Sequence, residues 1–256
     1  MSRAIAAVFA LSWLVFPGFG LIDLSVTWDR SWPQVLEAGW GLFFTILVGA
    51  AFVTVALMQR RAVAALVQLY VAAAALGISA LLAREGALMV LALVLAVETA
   101  IASWSATDKA YPDRPFKLLA LWRPLGFVAL VGLVPWLIYA LDMYRLNRRD
   151  LSTSDITIGI DHYSVQGALG LALAALAILA AIWPLGRRYL GVSVGVAATY
   201  LGLVSLAWHP TPGSFSQTWS MLCMAWGAAV AVAALASVQH RGEGAPEHRD
   251  RTRPAR

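Results

Sequence analysis

The chain has 256 residues, of which 60% are hydrophobic and 13% charged, and its formal net charge is +5. Soluble domains carry about a quarter charged residues, and here the apolar residues form runs of about 20, the length with which a helix crosses a hydrocarbon core about 30 Å thick. This composition excludes an ordinary soluble domain, and the single cysteine, Cys223, excludes an intrachain disulfide. The basic residues lie in short clusters between apolar runs, which argues against a nucleic-acid partner and for the lipid bilayer.

We therefore predict an all-α, polytopic helical membrane protein with eight transmembrane helices. The predicted spans are 4–22, 36–58, 62–83, 87–105, 124–141, 164–185, 189–208 and 217–238. The first run resembles a signal peptide, but it lacks a small-x-small cleavage site and is long enough to span, so we expect it to be retained. Residues 106–123 are expected to form a cytoplasmic connector and residues 241–256 a disordered cytoplasmic tail.

The distribution of basic residues predicts the orientation of the chain. With the N-terminus in the cytoplasm, 14 of the 19 Lys and Arg residues lie on the inner side. The outer side then carries Arg30, Arg84, Arg145, Arg148 and Arg149. This bias predicts a multi-pass protein of the cell (cytoplasmic) membrane with both termini in the cytoplasm.

Two outer loops have related sequences and indicate an internal repeat. The loop "DLSVTWD" (23–29) precedes the second span, and "DITIGID" (155–161) precedes the sixth. Each of these spans ends in a double arginine, and the spans before the two loops carry Pro17 and Pro135 in their outer halves. The common order favours duplication, although apolar hairpins with basic turns also resemble one another by composition alone.

The duplication divides the chain into two units of four helices, 1–105 and 124–240. Four spans per unit leave both units the same way up, related by a pseudo-twofold axis along the membrane normal. The two prolines predict kinks at matching places. Gly191-x-x-x-Gly195 and the alanine-rich sixth span predict close packing between spans six and seven.

The segment "GIDHYSVQG" (159–167) places Asp161 and His162 at the beginning of the sixth span. In one interpretation Asp161 caps the helix by accepting hydrogen bonds from its first turn, and His162 is an interfacial side chain without further task. In the other, the two residues belong to an outer-face binding site. The other candidate outer-face residues are Asp23, Asp29 and His209, and Glu37 is a further carboxylate that flanks the second span.

Such a set of carboxylates and imidazoles is suited to a divalent metal such as zinc or to a cationic solute. A haem between His162 and His209 is a redox alternative, although no C-x-x-C-H motif is present for covalent attachment. No motif supports a cofactor, and the identity of any metal is not predicted.

Glu98 lies well inside the fourth span, where an ionisable side chain is costly and normally faces the bundle interior or water. Gln68 lies at a similar depth on the third span, so we expect a hydrogen bond between the two. One interpretation is that a protonated Glu98 joins the helices, with Thr99 bonding back to a helix carbonyl. The other is that Glu98 is a coupling position for a proton or cation.

The sequence contains no P-loop, GxGxxG, GxSxG or HExxH motif, so no enzyme class is indicated. The leading hypothesis is a carrier for a small solute or ion, with an outer-face acidic site and Glu98 as coupling group. The alternatives are a non-catalytic membrane subunit or scaffold that packs against a partner, and a membrane-embedded metal or haem redox protein or enzyme.

Overall fold

The computed structural model describes residues 2–58, 62–106, 119–149 and 156–237. Within these ranges the chain is almost entirely helical, and seven helices are long and apolar enough to cross a membrane. They are Gln34–Leu57, Ala62–Ala83, Gly86–Trp104, Arg123–Asn147, His162–Ile182, Arg187–Ala207 and Gln217–Ala236. The protein is therefore an all-α, multi-pass membrane protein. Most of the predicted connector and the whole of the predicted tail lie outside the described residues.

The first predicted span is divided into two short helices. Helix α1 covers Ser2–Leu14 and α2 covers Gly20–Val26, so the expected continuous helix over 4–22 is not formed. Residues 15–19 between them include Pro17, which lacks a backbone N–H and cannot continue the hydrogen-bond ladder. Because α1 has only 13 residues, it is too short to cross a hydrocarbon core alone.

The second span is one continuous helix with an irregular middle. It consists of α3 (Gln34–Leu42), a π-helix (Phe43–Gly49) and α4 (Ala50–Leu57). The broken first region runs along it, with α1 against α4 and the π-helix and α2 against α3 and the π-helix. The approach is close, since a Cβ at Gly41 would lie 2.7 Å from the Leu24 nitrogen.

The remaining elements follow as hairpins around a central helix. They are α5 (Ala62–Ala83), α6 (Gly86–Ala106), α7 (Arg123–Asn147), β1 (Ile156–Thr157), β2 (Ile160–Asp161), α8 (His162–Ile182), α9 (Arg187–Ala207) and α10 (Gln217–Ala236). The two strands pair antiparallel directly before α8. Helix α8 packs against α3, α5, α7 and α9 and is the most deeply buried of the seven long helices, followed by Gln34–Leu57.

The predicted contact between spans six and seven is present, but the glycines expected to form it lie elsewhere, and the two prolines are not equivalent. Gly191 and Gly195 face α10 rather than α8: a Cβ at Gly191 would meet Ala234, and one at Gly195 would meet Ala231. Small residues on both α9 and α10 permit this close contact. The two prolines also differ, because Pro135 lies inside the continuous helix α7, so only Pro17 lies at a helix break.

Candidate functional site

Asp161 begins α8 as its N-cap. Its Oδ1 accepts a hydrogen bond from the Tyr163 N–H at 2.8 Å, and the Ser164 hydroxyl donates to the Asp161 carbonyl at 2.7 Å. The capping prediction is therefore confirmed. The backbone N–H of Asp161 also donates to Glu85 Oε1 at 2.7 Å, which fixes the start of α8 against the turn between α5 and α6.

Burial of the Glu85 side chain in this turn raises the pKa of its carboxyl, although hydrogen bonds from Ser164 and Asp161 oppose the shift. Glu85 was not a candidate from the sequence, because an acidic residue in a short turn is ordinarily solvated. The nearest signal was its place directly before Gly86, the first residue of α6. The structure adds Glu85 to the polar groups at the His162 end of the bundle.

His162 is completely buried, so its placement as an interfacial side chain is wrong. Its ring stacks on Trp40 with centroids 4.6 Å apart and planes inclined by 25°. Its Nδ1 lies 3.7 Å from Glu37 Oε1, and its Nε2 lies 2.8 Å from Thr157 Oγ1. Glu37 is 2% exposed, and a carboxylate at such a position requires a partner that compensates its charge.

Gln166, one turn further along α8, extends this buried polar group. Its Nε2 donates to the Tyr139 hydroxyl at 2.6 Å and to the Val35 carbonyl at 3.3 Å. The Tyr139 hydroxyl donates in turn to the Gly213 carbonyl at 3.0 Å. We call Glu37, Trp40, Tyr139, His162 and Gln166 the end cluster; it joins α3, α7, α8 and the segment before α10.

The other predicted outer-face residues differ in their burial. Asp23 is buried on α2, whereas Asp29 and His209 are exposed. Asp29 accepts a hydrogen bond from the Ser31 N–H at 2.9 Å, and this bond lowers the pKa of its carboxyl. Within the described part of the chain, no three His, Cys, Asp or Glu residues are grouped to hold a metal ion. A haem held by buried His162 and exposed His209 does not fit these environments.

A second polar site lies inside the spans, where Glu98 on α6 faces α1. Its Oε2 accepts a hydrogen bond from the Trp13 indole N–H at 2.5 Å. Trp13 is 2% exposed and stacks on Phe44 of the π-helix, with centroids 5.2 Å apart and planes inclined by 10°. The Thr99 hydroxyl donates to the Leu95 carbonyl at 2.7 Å, as predicted.

Gln68 is buried nearby but has different partners. Its Nε2 donates to the carbonyls of Ile46 and Leu47, at 3.2 and 3.0 Å, in the π-helix. The expected hydrogen bond between Gln68 and Glu98 is therefore wrong. The wider turn of a π-helix interrupts the regular α-helical ladder, and Gln68 satisfies carbonyls in that turn while α1 supplies the donor for Glu98. We call Trp13, Phe44, Gln68 and Glu98 the mid-span site.

Comparison of the chain with known protein families, with curated proteins and with solved structures found no match.

Proposed function

We propose that this multi-pass membrane protein is a carrier for a small cationic solute or inorganic cation, with Glu98 as its coupling group. The observation that carries the proposal is the hydrogen bond from Trp13 to the Glu98 carboxylate. Trp13 is the penultimate residue of α1, directly before the break in the first membrane region. Glu98 thus holds the end of α1 that lies at the break and is not continuous with α2.

Protonation of Glu98 changes this contact. Hydrogen bonds to an ionised carboxylate are about twice as strong as those between neutral groups, so a proton on Glu98 weakens its hold on Trp13. Residues 15–19, which connect α1 to α2, are the place where the backbone can absorb a change in the direction of α1. A proton or cation at Glu98 and the position of α1 are therefore linked in the proposed mechanism.

The irregular backbone around the mid-span site supports the same proposal. Broken helices occur at membrane depth where they are buried in protein or line a cavity, and in many carriers they surround the site for the transported ion. Here the break at 15–19 lies beside the π-helix of the neighbouring span, and Gln68 bonds to that π-helix. Buried Gln68 Oε1 accepts no hydrogen bond from any described residue, and it is a ligand for a cation in the proposal.

The outer-face site of the proposal uses carboxylates at the His162 end of the bundle. Buried Asp23 lies on α2 and buried Glu37 on α3, and Glu85, in the turn between α5 and α6, accepts a hydrogen bond from the start of α8. They attract cations toward the mid-span site. The outer-face residues of the proposal remain Asp23, Asp29, Asp161, His162 and His209. Extracellular placement of this end, with cytoplasmic termini in the cell membrane, follows from the distribution of Lys and Arg.

The packing pattern favours the four-plus-four duplication, with α1 and α2 together as the first of eight crossings. In the first half, α1 packs on α4, α4 on α5, and α5 on α6. In the second half, α7 packs on α8, α8 on α9, and α9 on α10. Between the halves, α5 packs on α8, and α9 packs on α3 of the second span. These two contacts are equivalent when the halves are exchanged, because α5 corresponds to α9 and the second span corresponds to α8. Carriers are commonly built from such repeats.

The test is cation-driven proton movement in liposomes. The purified full-length protein is reconstituted with an entrapped pH-sensitive dye, and gradients of Na⁺, K⁺, Mg²⁺, Mn²⁺, putrescine and choline are imposed in turn. We expect at least one of these cations to drive proton movement in the opposite direction. Glu98→Gln should abolish it because the side chain no longer titrates, and Trp13→Phe should slow it.

Asp142→Asn is the matched control, since it removes a half-exposed carboxylate that belongs neither to the mid-span site nor to the outer-face site. Labelling by a membrane-soluble carbodiimide, mapped by mass spectrometry, reports separately whether Glu98 takes up a proton, because the reagent reacts with protonated carboxyls. Unchanged proton movement in Glu98→Gln, or absence of movement with every cation in the panel, contradicts the proposal.

A further inference from the structure

A cavity of about 630 Å³ lies between α7 and α10. Its walls are almost entirely apolar and extend along α7 from Phe127 to Asp142, and along α10 from Trp219 to Ala229. The stretch of α7 that lines the cavity rises about 22 Å along the helix axis. This is most of the thickness of a hydrocarbon core, which is about 30 Å. Cavities of this volume are typical of small-molecule sites.

The duplication gives the cavity a counterpart in the first half. When Pro17 is placed on Pro135, Trp13 falls on Val131; when the first residues of α6 and α10 are matched, Glu98 falls on Ala229. Val131 and Ala229 both line the cavity. The interface between α1 and α6 is thus filled by an indole and a carboxylate, whereas smaller side chains leave the equivalent place between α7 and α10 open.

The opening of the cavity faces the lipid. Phe127, Val131 and Val134 are 70%, 56% and 60% exposed, and all three lie within a span. A void between such walls forfeits dispersion contacts unless an apolar group fills it. In a bilayer the acyl chains of the surrounding lipids are the apolar groups that can fill this cavity.

The polar end of the cavity determines the class of lipid. Asp142 lines this end, and its Oδ1 lies 2.7 Å from Arg145 Nη1 in a largely exposed ion pair. Trp219, which also lines the cavity, is 53% exposed at the same end of the bundle, where Trp is favoured at membrane interfaces. A carboxylate beside a guanidinium complements a headgroup with one ammonium and one phosphate.

We infer that the cavity is a binding site for one acyl chain of phosphatidylethanolamine, with the ammonium group at Asp142 and the phosphate at Arg145. The bound chain occupies the space between Val131 and Ala229 and covers Trp226, whose indole N–H donates to the Val128 carbonyl across the interface at 2.7 Å. This site is independent of the proposed transport activity, because none of its residues belongs to the mid-span site; Tyr139 is the one lining residue that it shares with the end cluster.

The test uses phosphatidylethanolamine with a diazirine in its acyl chain. It is added to the full-length protein in detergent, and crosslinked peptides are located by mass spectrometry, while native mass spectrometry counts the lipids retained. Val131→Trp should lower crosslinking about tenfold, which corresponds to a loss of about 1.4 kcal/mol in binding. Leu130→Trp should leave it unchanged, because Leu130 is 61% exposed on the same helix and does not line the cavity.

A second pair of variants guards against misfolding of Val131→Trp. Ala229→Phe fills the cavity from α10, and exposed Ala228→Phe, outside the lining, is its control. Asp142→Asn together with Arg145→Gln should lower binding of phosphatidylethanolamine more than that of phosphatidylglycerol, which lacks the ammonium group. Equal crosslinking in the filling and control variants, crosslinks away from α7 and α10, or a copurified protein at this face in place of lipid would overturn the inference.

Discussion

Gln166 on α8 donates a hydrogen bond to the Tyr139 hydroxyl on α7 at 2.6 Å, and both side chains are buried. The Tyr139 hydroxyl in turn donates a hydrogen bond to the Gly213 carbonyl at 3.0 Å. One phenol hydroxyl thus accepts a hydrogen bond from a buried amide and donates one to a buried carbonyl. Three segments distant in the sequence are held in register by this chain of hydrogen bonds.

Tyr139→Phe should destabilise the protein by about 1–3 kcal/mol, because the Gly213 carbonyl loses its donor and Gln166 loses an acceptor in a buried place. Tyr70→Phe is the control: its hydroxyl lies 3.1 Å from Ser103 Oγ at an exposed site, and its loss should change stability by less than about 0.5 kcal/mol. Unfolding by SDS in mixed micelles measures both. Equal effects of the two substitutions would show that the Tyr139 hydroxyl is not a buried link.

Gly39→Ala should disturb the same region from the opposite side. A Cβ at Gly39 would lie 1.3 Å from Gln166 Oε1, a distance at which the amide must move. We expect a loss of about 1–3 kcal/mol, the usual cost of overpacking. Gly86→Ala is the control and should not lower stability, because no atom of the described residues lies within 4 Å of its added Cβ. If Gly39→Ala unfolds at the same SDS fraction as the wild type, Gln166 does not hold this position.

Most helix boundaries were predictable because polar or charged residues bound each apolar run. The predicted span 62–83 coincides with α5, and the second, fourth and fifth spans begin within two residues of the observed helices. The division of the first span was not predicted, since mean hydropathy does not register backbone geometry. The segment "FPGFG" (16–20) carried the only local signal, in its proline and glycines.

The two polar sites were predictable in part. The sequence placed Glu98 at membrane depth and Asp161 at a helix start, because both are properties of position along one helix. It did not predict Trp13 as the partner of Glu98, and it offered Glu37 only as one of several carboxylates at the depth of His162, since such pairs depend on how distant helices pack. Gln68 was paired wrongly for a further reason: the π-helix that offers its carbonyls has no sequence signature.

Glu37 and His162 should be energetically coupled. A double-mutant cycle with Glu37→Gln and His162→Asn measures the interaction free energy directly, and we expect about 0.5–3 kcal/mol of favourable coupling, the range for residues in one polar network. Asp29 and His209, both exposed, form the control cycle and should show none. A coupling energy near zero for the buried pair would mean that the two groups are compensated by other neighbours.

The carboxyl of Glu85 should make stability depend on pH. Because burial raises its pKa above the ordinary value of 4.5, the folded state binds the proton more tightly than the unfolded state. Its contribution is fully present below pH 4.5 and is lost as the pH rises through the folded-state pKa. Glu85→Gln, which keeps an acceptor for the Asp161 N–H, should therefore flatten the fall in stability above pH 4.5.

Asp29 provides a control of opposite sign. Its pKa is lowered below 3.8 by the hydrogen bond from the Ser31 N–H, so its contribution is present above pH 3.8 and is lost as the pH falls through the folded-state pKa. Asp29→Asn should alter the stability profile only on the acid side. A profile for Glu85→Gln that parallels the wild type above pH 4.5 would contradict the assignment of that slope to Glu85.

Stability should require the guanidinium of Arg187. Its position in a double arginine between two spans is otherwise explained by the bias of basic residues that orients the chain. Arg187 is 9% exposed, and its guanidinium donates to the carbonyls of Ala120, Ala180 and Ala181 at 2.7, 3.2 and 3.2 Å. Two of these carbonyls belong to the last turn of α8, where a cation also complements the helix dipole. The planar guanidinium donates in several directions, which a lysine ammonium on a flexible stem does not reproduce.

Arg187→Lys should therefore destabilise the protein by about 1.5–3 kcal/mol, the contribution of hydrogen bonds from a charged donor, although it preserves the positive charge. Arg188→Lys is the matched control, because Arg188 is exposed next to it, and should change stability by less than about 0.5 kcal/mol. SDS unfolding separates the two roles. Equal stability of both variants would mean that Arg187 contributes only its positive charge to the orientation of the chain. A loss of stability in Arg187→Lys alone would show that the guanidinium itself joins the end of α8 to the segment before α7.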